Sequence, residues 1–231
     1  PTCNGSGGID VFEDSIGELV TIPCPDCGGK TMNLSKLFEM QKELDARILA
    51  EHPVQEGENR LAKKILALLV ELGELAQEWR GFKFWSKDQE PRTKIEYICP
   101  TCNGTGDENY DSYIDDLEGR YPHEFIICED CGGTGTLGYK NPLLEEFVDC
   151  LHFLLSIGLE SEIGTFTGDE LMPIKMGTIE IQFITLFKAT VTFLEDINYY
   201  PDMWELFLGL GEMFGFTWEE VEEAYVRDYK H

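Results

Sequence analysis

Positive charge is what this chain has least of. Eighteen lysines and arginines stand against 44 aspartates and glutamates, a formal charge of −26 over 231 residues. A surface so acidic repels phosphate backbones, which excludes general binding to nucleic acid or to an anionic membrane. Long apolar runs are missing too: no stretch reaches the roughly 20 residues a bilayer-spanning helix needs, and the opening residues lack the basic-then-apolar pattern of a secretory leader. A soluble, cytoplasmic protein is the expectation. Alternating strand patterns are absent outside two Gly- and Cys-rich stretches. What is present, at 42% hydrophobic and 12% aromatic, is enough apolar side chain for a real core.

The two exceptional stretches, residues 1–31 and 98–138, repeat one another. Cys3-Asn4-Gly5-Ser6-Gly7 recurs as Cys102-Asn103-Gly104-Thr105-Gly106, each after Pro-Thr, and Cys24-Pro25-Asp26-Cys27 recurs as Cys128-Glu129-Asp130-Cys131, each before Gly-Gly. Six of the eight cysteines thus fall in close CxxC pairs, which in a reducing compartment favours metal over disulfides. Zinc takes four thiolates in a tetrahedron, and one CxxC turn supplies two, so Cys99, Cys102, Cys128 and Cys131 make a complete structural Zn²⁺ site. Cys3, Cys24 and Cys27 offer a possible second one, for which the repeat predicts a further cysteine just before Pro1. Each block closing on its own ion is the expected pairing; exchange of half-sites between blocks is the alternative. The CxxCxGxG pattern resembles the repeat of DnaJ-type zinc modules, whose glycines let backbone amides face the thiolates.

Elsewhere the spacing of apolar residues is helical. It predicts helices over 34–52, 60–80, 142–159, 178–197, 203–214 and 218–230, the last opened by a capping box of Thr217 and Glu220. The fold class is therefore all-α, with β-knuckles confined to the cysteine blocks. Cys150, alone on an apolar helix, reads as a small core residue. Gly29-Lys30-Thr31 is not the end of a phosphate loop, because position 24 is a cysteine where that loop needs glycine.

Two helices carry acids among greasy neighbours. At about 100° per residue, Glu71, Glu74 and Glu78 share one face of the first, and Glu146 and Asp149 share one face of the second. A solvated stripe is the ordinary explanation for either alone. Matching stripes on two apolar helices point instead to carboxylates facing each other, which would repel without a cation; Mg²⁺ is the natural hard counterion. Just after the first acid stripe come Arg80, Lys83, Trp85 and Lys87, cations interleaved with rings in a chain short of cations. They suit a polyphosphate and a base, or simply a helix C-terminus that attracts positive charge.

The ExxE of Glu71 and Glu74, the run ELGELAQEWRGFKFWSKD, and the ExxD of Glu146 and Asp149 within LLEEFVDCLHFLLSIGLE resemble the dimeric all-α dUTP diphosphatases of the MazG-like nucleotide pyrophosphohydrolase superfamily. MNLSKLFEMQKELD and GFTWEEVEEAY look like that family's first and last helices. The likeness covers about 32–92 and 142–226. It implies a MazG-like helical bundle acting as a homodimer and hydrolysing dUTP to dUMP and pyrophosphate. Mg²⁺ would be held by Glu71, Glu74, Glu146 and Asp149, with Glu71 or Glu74 positioning the attacking water. It further implies that Gln41 reads a pyrimidine edge, that Trp85 lies near the base, and that Arg80, Lys83 and Lys87 meet phosphates. Arg227 and Asp228 stand where the family usually has Lys and Asn.

The expected organisation is a zinc-knuckle segment at 1–31, a catalytic domain from 32–92 and 142–231, and a second knuckle inserted at 93–141. Two alternatives stay open. One is a dNTP pyrophosphohydrolase of other base specificity, such as dCTP; the other is a zinc-knuckle module that binds protein or nucleic acid on a degenerate helical scaffold.

Overall fold

The structure, a computed structural model, describes residues 8–13, 18–23, 34–110, 124–161, 163 and 171–229. It divides into two compact units, one made of the residues up to Gln77 and from Leu144 on, the other of Glu78–Leu143.

In the first unit, strands β1 (Gly8–Glu13) and β2 (Glu18–Pro23) pair as an antiparallel hairpin with Gly8 opposite Pro23. Helix α1 (Leu34–Glu51) follows, then α2 (Arg60–Trp79), whose last two residues lie in the second unit. α2 starts where Asn59 accepts the Ala62 amide through its side chain. Its buried residues Ile65, Leu68, Leu72 and Leu75 step three and four apart, one stripe of an amphipathic helix. Helix α3 (Pro142–Glu160) is apolar on most of its surface and buries Phe147, Val148, Cys150, Leu151, Leu154, Leu155 and Ile157.

Helices α4 (Ile179–Thr192), α5 (Tyr200–Phe214) and α6 (Trp218–Asp228) complete the unit. The expected helix at 178–197 is shorter: it stops at Thr192, and a 3₁₀ turn, Ile197–Tyr199, starts where Asp196 caps Asn198 through its side chain. The helix expected from Met203 begins earlier, at Tyr200, because Pro201 sits in the first turn, where its missing N–H is no loss. The Thr217–Glu220 capping box forms. Phe147 of α3 stacks on Phe207 of α5 with ring centroids 4.2 Å apart. Tyr200 donates its hydroxyl to the Leu154 carbonyl at 2.8 Å, and it comes so close to α3 that a Cβ on Gly158 would lie 2.1 Å from its oxygen. Only glycine admits that approach.

The second unit contains strands β3 (Ile95–Ile98) and β4 (Thr136–Lys140), antiparallel, with Ile95 opposite Lys140. The fold is thus all-α apart from two two-stranded sheets among the described residues. None of the described helices is long and apolar enough to cross a membrane.

Candidate functional site

α2 and α3 bring three of the four expected acids together. Carboxylate oxygens of Glu71, Glu146 and Asp149 lie within 4.8 Å of one another, all three side chains half-buried among the leucines and phenylalanines that flank them. Burial raises the Glu71 carboxyl above its ordinary range, and the charge of Glu74 adds to this. Asp149 is pushed up to about 6 by burial first, then by the charges of Asp228, Glu71, Glu145 and Glu74. Glu74 itself is exposed and stands outside the cluster. An all-oxygen, anionic, partly dehydrated donor set fits a hard divalent cation and no soft one.

Gln41 of α1 is buried, and both ends of its amide are engaged. Its Nε2 donates to Asp45 Oδ1 at 2.8 Å, while its Oε1 accepts the Tyr225 hydroxyl at 2.8 Å and faces His152 Nδ1 at 2.8 Å. Flipping the amide would set oxygen against the Asp45 carboxylate, so Nδ1 of His152 donates to Gln41 Oε1. The His152 ring stacks on Tyr225, 4.1 Å between centroids, and its Nε2 lies 3.1 Å from Asp228 Oδ2. Burial lowers the His152 pKa against the opposing pull of Asp228 and Asp45. α1, α3 and α6 therefore meet at one polar knot, one helical turn from Asp149.

Beside the knot opens a cleft of about 990 Å³ between the C-terminal half of α1, the loop after it, the start of α2 and the end of α3. Leu44, Ile48, Val54 and Phe153 give it apolar walls, and Gln41 and His152 close one end. Lys64, on its floor, is paired with Asp45 at 3.1 Å and Glu160 at 2.8 Å.

Sequence reasoning did not single out Asp45 or Tyr225, and it marked Asp228 only as a departure from the family's pattern. The signal available was faint: Asp45 lies one turn after Gln41, and Tyr225 and Asp228 lie three apart on α6, but nothing local says that α6 folds over α1.

The remaining expected substrate residues belong to the second unit. Arg80, at a φ of 66°, donates from Nε and Nη2 to the Asp88 carbonyl at 3.1 and 3.0 Å and pairs with the Asp88 carboxylate at 2.8 Å, closing the loop between them. Lys83 lies over the Phe82 ring. Trp85 is 67% exposed and meets Phe82 and Phe84 edge-on; Lys87 is exposed.

Further along that unit, Cys99, Cys102, Cys128 and Cys131 converge. Sγ atoms of Cys99 and Cys128 are 3.8 Å apart and those of Cys102 and Cys131 3.7 Å. A zinc tetrahedron with about 2.3 Å bonds has edges of about 3.8 Å, whereas a disulfide needs about 2.05 Å. The two half-sites are related by a local twofold. Cys99 N–H donates to Gly135 O and Cys128 N–H to Gly106 O; Gly106 N–H points at Cys102 Sγ and Gly135 N–H at Cys131 Sγ. A Cβ on Gly106 would stand 2.2 Å from Gly133 O, and one on Gly135 2.3 Å from Gly104 O, so the repeat's glycines are required by this closure. Burial pushes the Cys131 thiol up, but the Gly135 amide and the Cys102 and Cys128 sulfurs outweigh it and hold it near about 6. Cys3, Cys24 and Cys27 lie outside the described residues. Cys150 is fully buried in α3, and burial carries its thiol well above the ordinary value.

A family model described as dUTPase matches residues 33–98 and 136–231. It skips 99–135, the stretch that runs from Cys99 to Gly135. No curated protein matches the chain.

Proposed function

The chain belongs to the dUTPase family, and from that premise we propose that it is a Mg²⁺-dependent dUTP diphosphatase of the MazG-like superfamily, working as a homodimer in the cytoplasm. The carrying observation is the convergence of Glu71, Glu146 and Asp149 beside a cleft walled by apolar side chains. The three carboxylates hold the cation. When bound, it lowers the pKa of water and neutralises charge on the leaving pyrophosphate.

The chain's own residues do the rest. The cleft, at about the upper end of the 300–1,000 Å³ usual for small-molecule sites, takes the nucleoside against Ile48, Val54 and Phe153. Its triphosphate then points along α3 from His152 toward Asp149. Glu74, exposed and without a place in the cluster, is free to orient water and take its proton as the oxygen attacks the α-phosphorus. The bond from that phosphorus to the bridging oxygen breaks, leaving dUMP and pyrophosphate. Arg80 holds the loop that carries Lys83, Trp85 and Lys87. The catalytic domain is built from 32–92 and 142–231, with knuckles at 1–31 and 93–141. Zn²⁺ on Cys99, Cys102, Cys128 and Cys131 is structural, with Cys3, Cys24 and Cys27 as ligands for a second ion.

A second reading is favoured by the full engagement of the Gln41 amide with Asp45, His152 and Tyr225: the same chemistry on another base, such as dCTP. Pyrophosphate release from each dNTP with Mg²⁺ tests both. Selective dUTP turnover, lost roughly a hundredfold or more in Glu71→Gln or Glu74→Gln, is the expected result. Equal turnover of several nucleotides favours the second reading, and no turnover at all sinks both.

A further inference from the structure

Within the second unit, Arg92 touches the ends of both carboxylate helices. Its N–H donates to the carbonyl of Glu78, in the last turn of α2, at 3.0 Å, and its Nη1 meets the Glu78 carboxylate at 3.2 Å. Its carbonyl accepts the N–H of Leu143, in the first turn of α3, at 3.1 Å. Three residues on, β3 begins its pairing with β4, which closes the insertion at Ile95 and Lys140.

That closure depends on the cysteines. Among the described residues between 80 and 142, the buried apolar side chains are Cys99, Cys102 and Cys128, with Cys131 packed against them. Three or four thiols make no hydrophobic core, and a two-stranded ribbon with strands this short is marginal in water. Metal ligation is what remains to hold it. Without it, residues 80–141 become one long loop between the helices, and the Arg92 tie has nothing to keep it in register.

α2 and α3 each run unbroken past this tie. Glu71 lies two turns back from Glu78 on the same face, about 10 Å along the axis, and Glu146 and Asp149 follow Leu143 by three and six residues. We infer that the metal-closed insertion, acting through Arg92 on Glu78 and Leu143, is a positioning device: it fixes the two helices so that Glu71, Glu146 and Asp149 form a cation site. The inference rests on the proposed cation role of those carboxylates and adds a coupling between two metal centres, one of which the family match does not include. Arg92 is a positioning residue and touches no reacting atom.

The test is Mn²⁺ binding to the full chain, followed by electron paramagnetic resonance without substrate. The parent, zinc-loaded, binds Mn²⁺ in a component that Glu71→Gln removes. In Cys102→Ser/Cys131→Ser that component weakens about tenfold, a middling coupling for linked sites, while the helical circular dichroism persists. Arg92→Ala keeps zinc and weakens it about threefold, and Arg92→Lys restores it. If the double variant loses its helical signal, the Arg92 pair decides alone. Parent-like affinity in every variant overturns the inference and leaves the cation reading standing. A parent without the Glu71-dependent component overturns both.

Discussion

The carboxylate cluster and the cysteine cluster are both groups of like-charged ligands, yet they are held in opposite ways. Glu71, Glu146 and Asp149 project from helices whose leucines and aromatics pack into a core that exists without them. Cys99, Cys102, Cys128 and Cys131 are themselves the buried centre of their surroundings. In the first case the fold imposes a cost on the ligands, visible as carboxyls driven above their ordinary range. In the second the ligands supply the fold. A site that the core holds under strain is suited to exchange its ion and work; a site that is its own core is suited to keep it.

The largest effect that would sharpen this contrast is loss of the proposed zinc. Structural zinc contributes on the order of 10 kcal/mol to small domains, so Cys99→Ser/Cys128→Ser should lose the proposed zinc and open residues 95–110 and 124–140 to rapid amide exchange, while α5 and α6 stay protected. Equal protection across both regions would break the comparison. Next comes the apolar core under the carboxylates. Leu72→Ala removes a side chain with no exposed surface, one residue from Glu71, and should cost about 2 to 5 kcal/mol in urea unfolding without releasing zinc.

Smaller, and opposite in sign, is the effect of the acids on the ion-free chain. Asp149 titrates near 6 in the folded state, against an ordinary 3.8. The folded chain then binds more protons than the unfolded one between those values, so stability falls as pH rises from about 4 to about 6 and stays low above. Asp149→Asn should flatten that slope and stabilise the ion-free chain by on the order of 1 kcal/mol near neutrality, the group being part-exposed and screened. Added Mg²⁺ should stabilise the parent and leave the variant behind. A steeper slope in the variant would contradict the crowding of charge at this site. Smallest is Tyr225→Phe. It removes one of the two donors to Gln41 Oε1, leaves His152 as the other, and should cost about 1 kcal/mol in thermal unfolding.

Much of this was legible in the chain. Leucines three and four apart marked α2, and Thr217 with Glu220 marked the start of α6, because capping and periodicity act within a few residues. Each CxxC half-site was legible for the same reason, since such a turn presents both thiolates whatever surrounds it. The early end at Thr192 was not, as Phe193 and Leu194 continue the apolar pattern and only the turn to Asp196 stops the helix. Nor was the exclusion of Glu74 from the cluster. It shares a helical face with Glu71, but a helix touches its neighbour along a line, and only the nearer acid reaches across.

By itself, then, the sequence determined which segments are helical, where each CxxC turn presents two thiolates, and which helices carry acids, all properties set by spacing along one stretch of chain. Only the tertiary structure decided that Gln41 gives its whole amide to Asp45, Tyr225 and His152, and that Asp228 burdens Asp149. It alone tied the ends of α2 and α3 together at Arg92. Those partners lie up to 184 residues apart, and hydrogen bonds and charges at that separation depend on how helices pack, which no local pattern specifies.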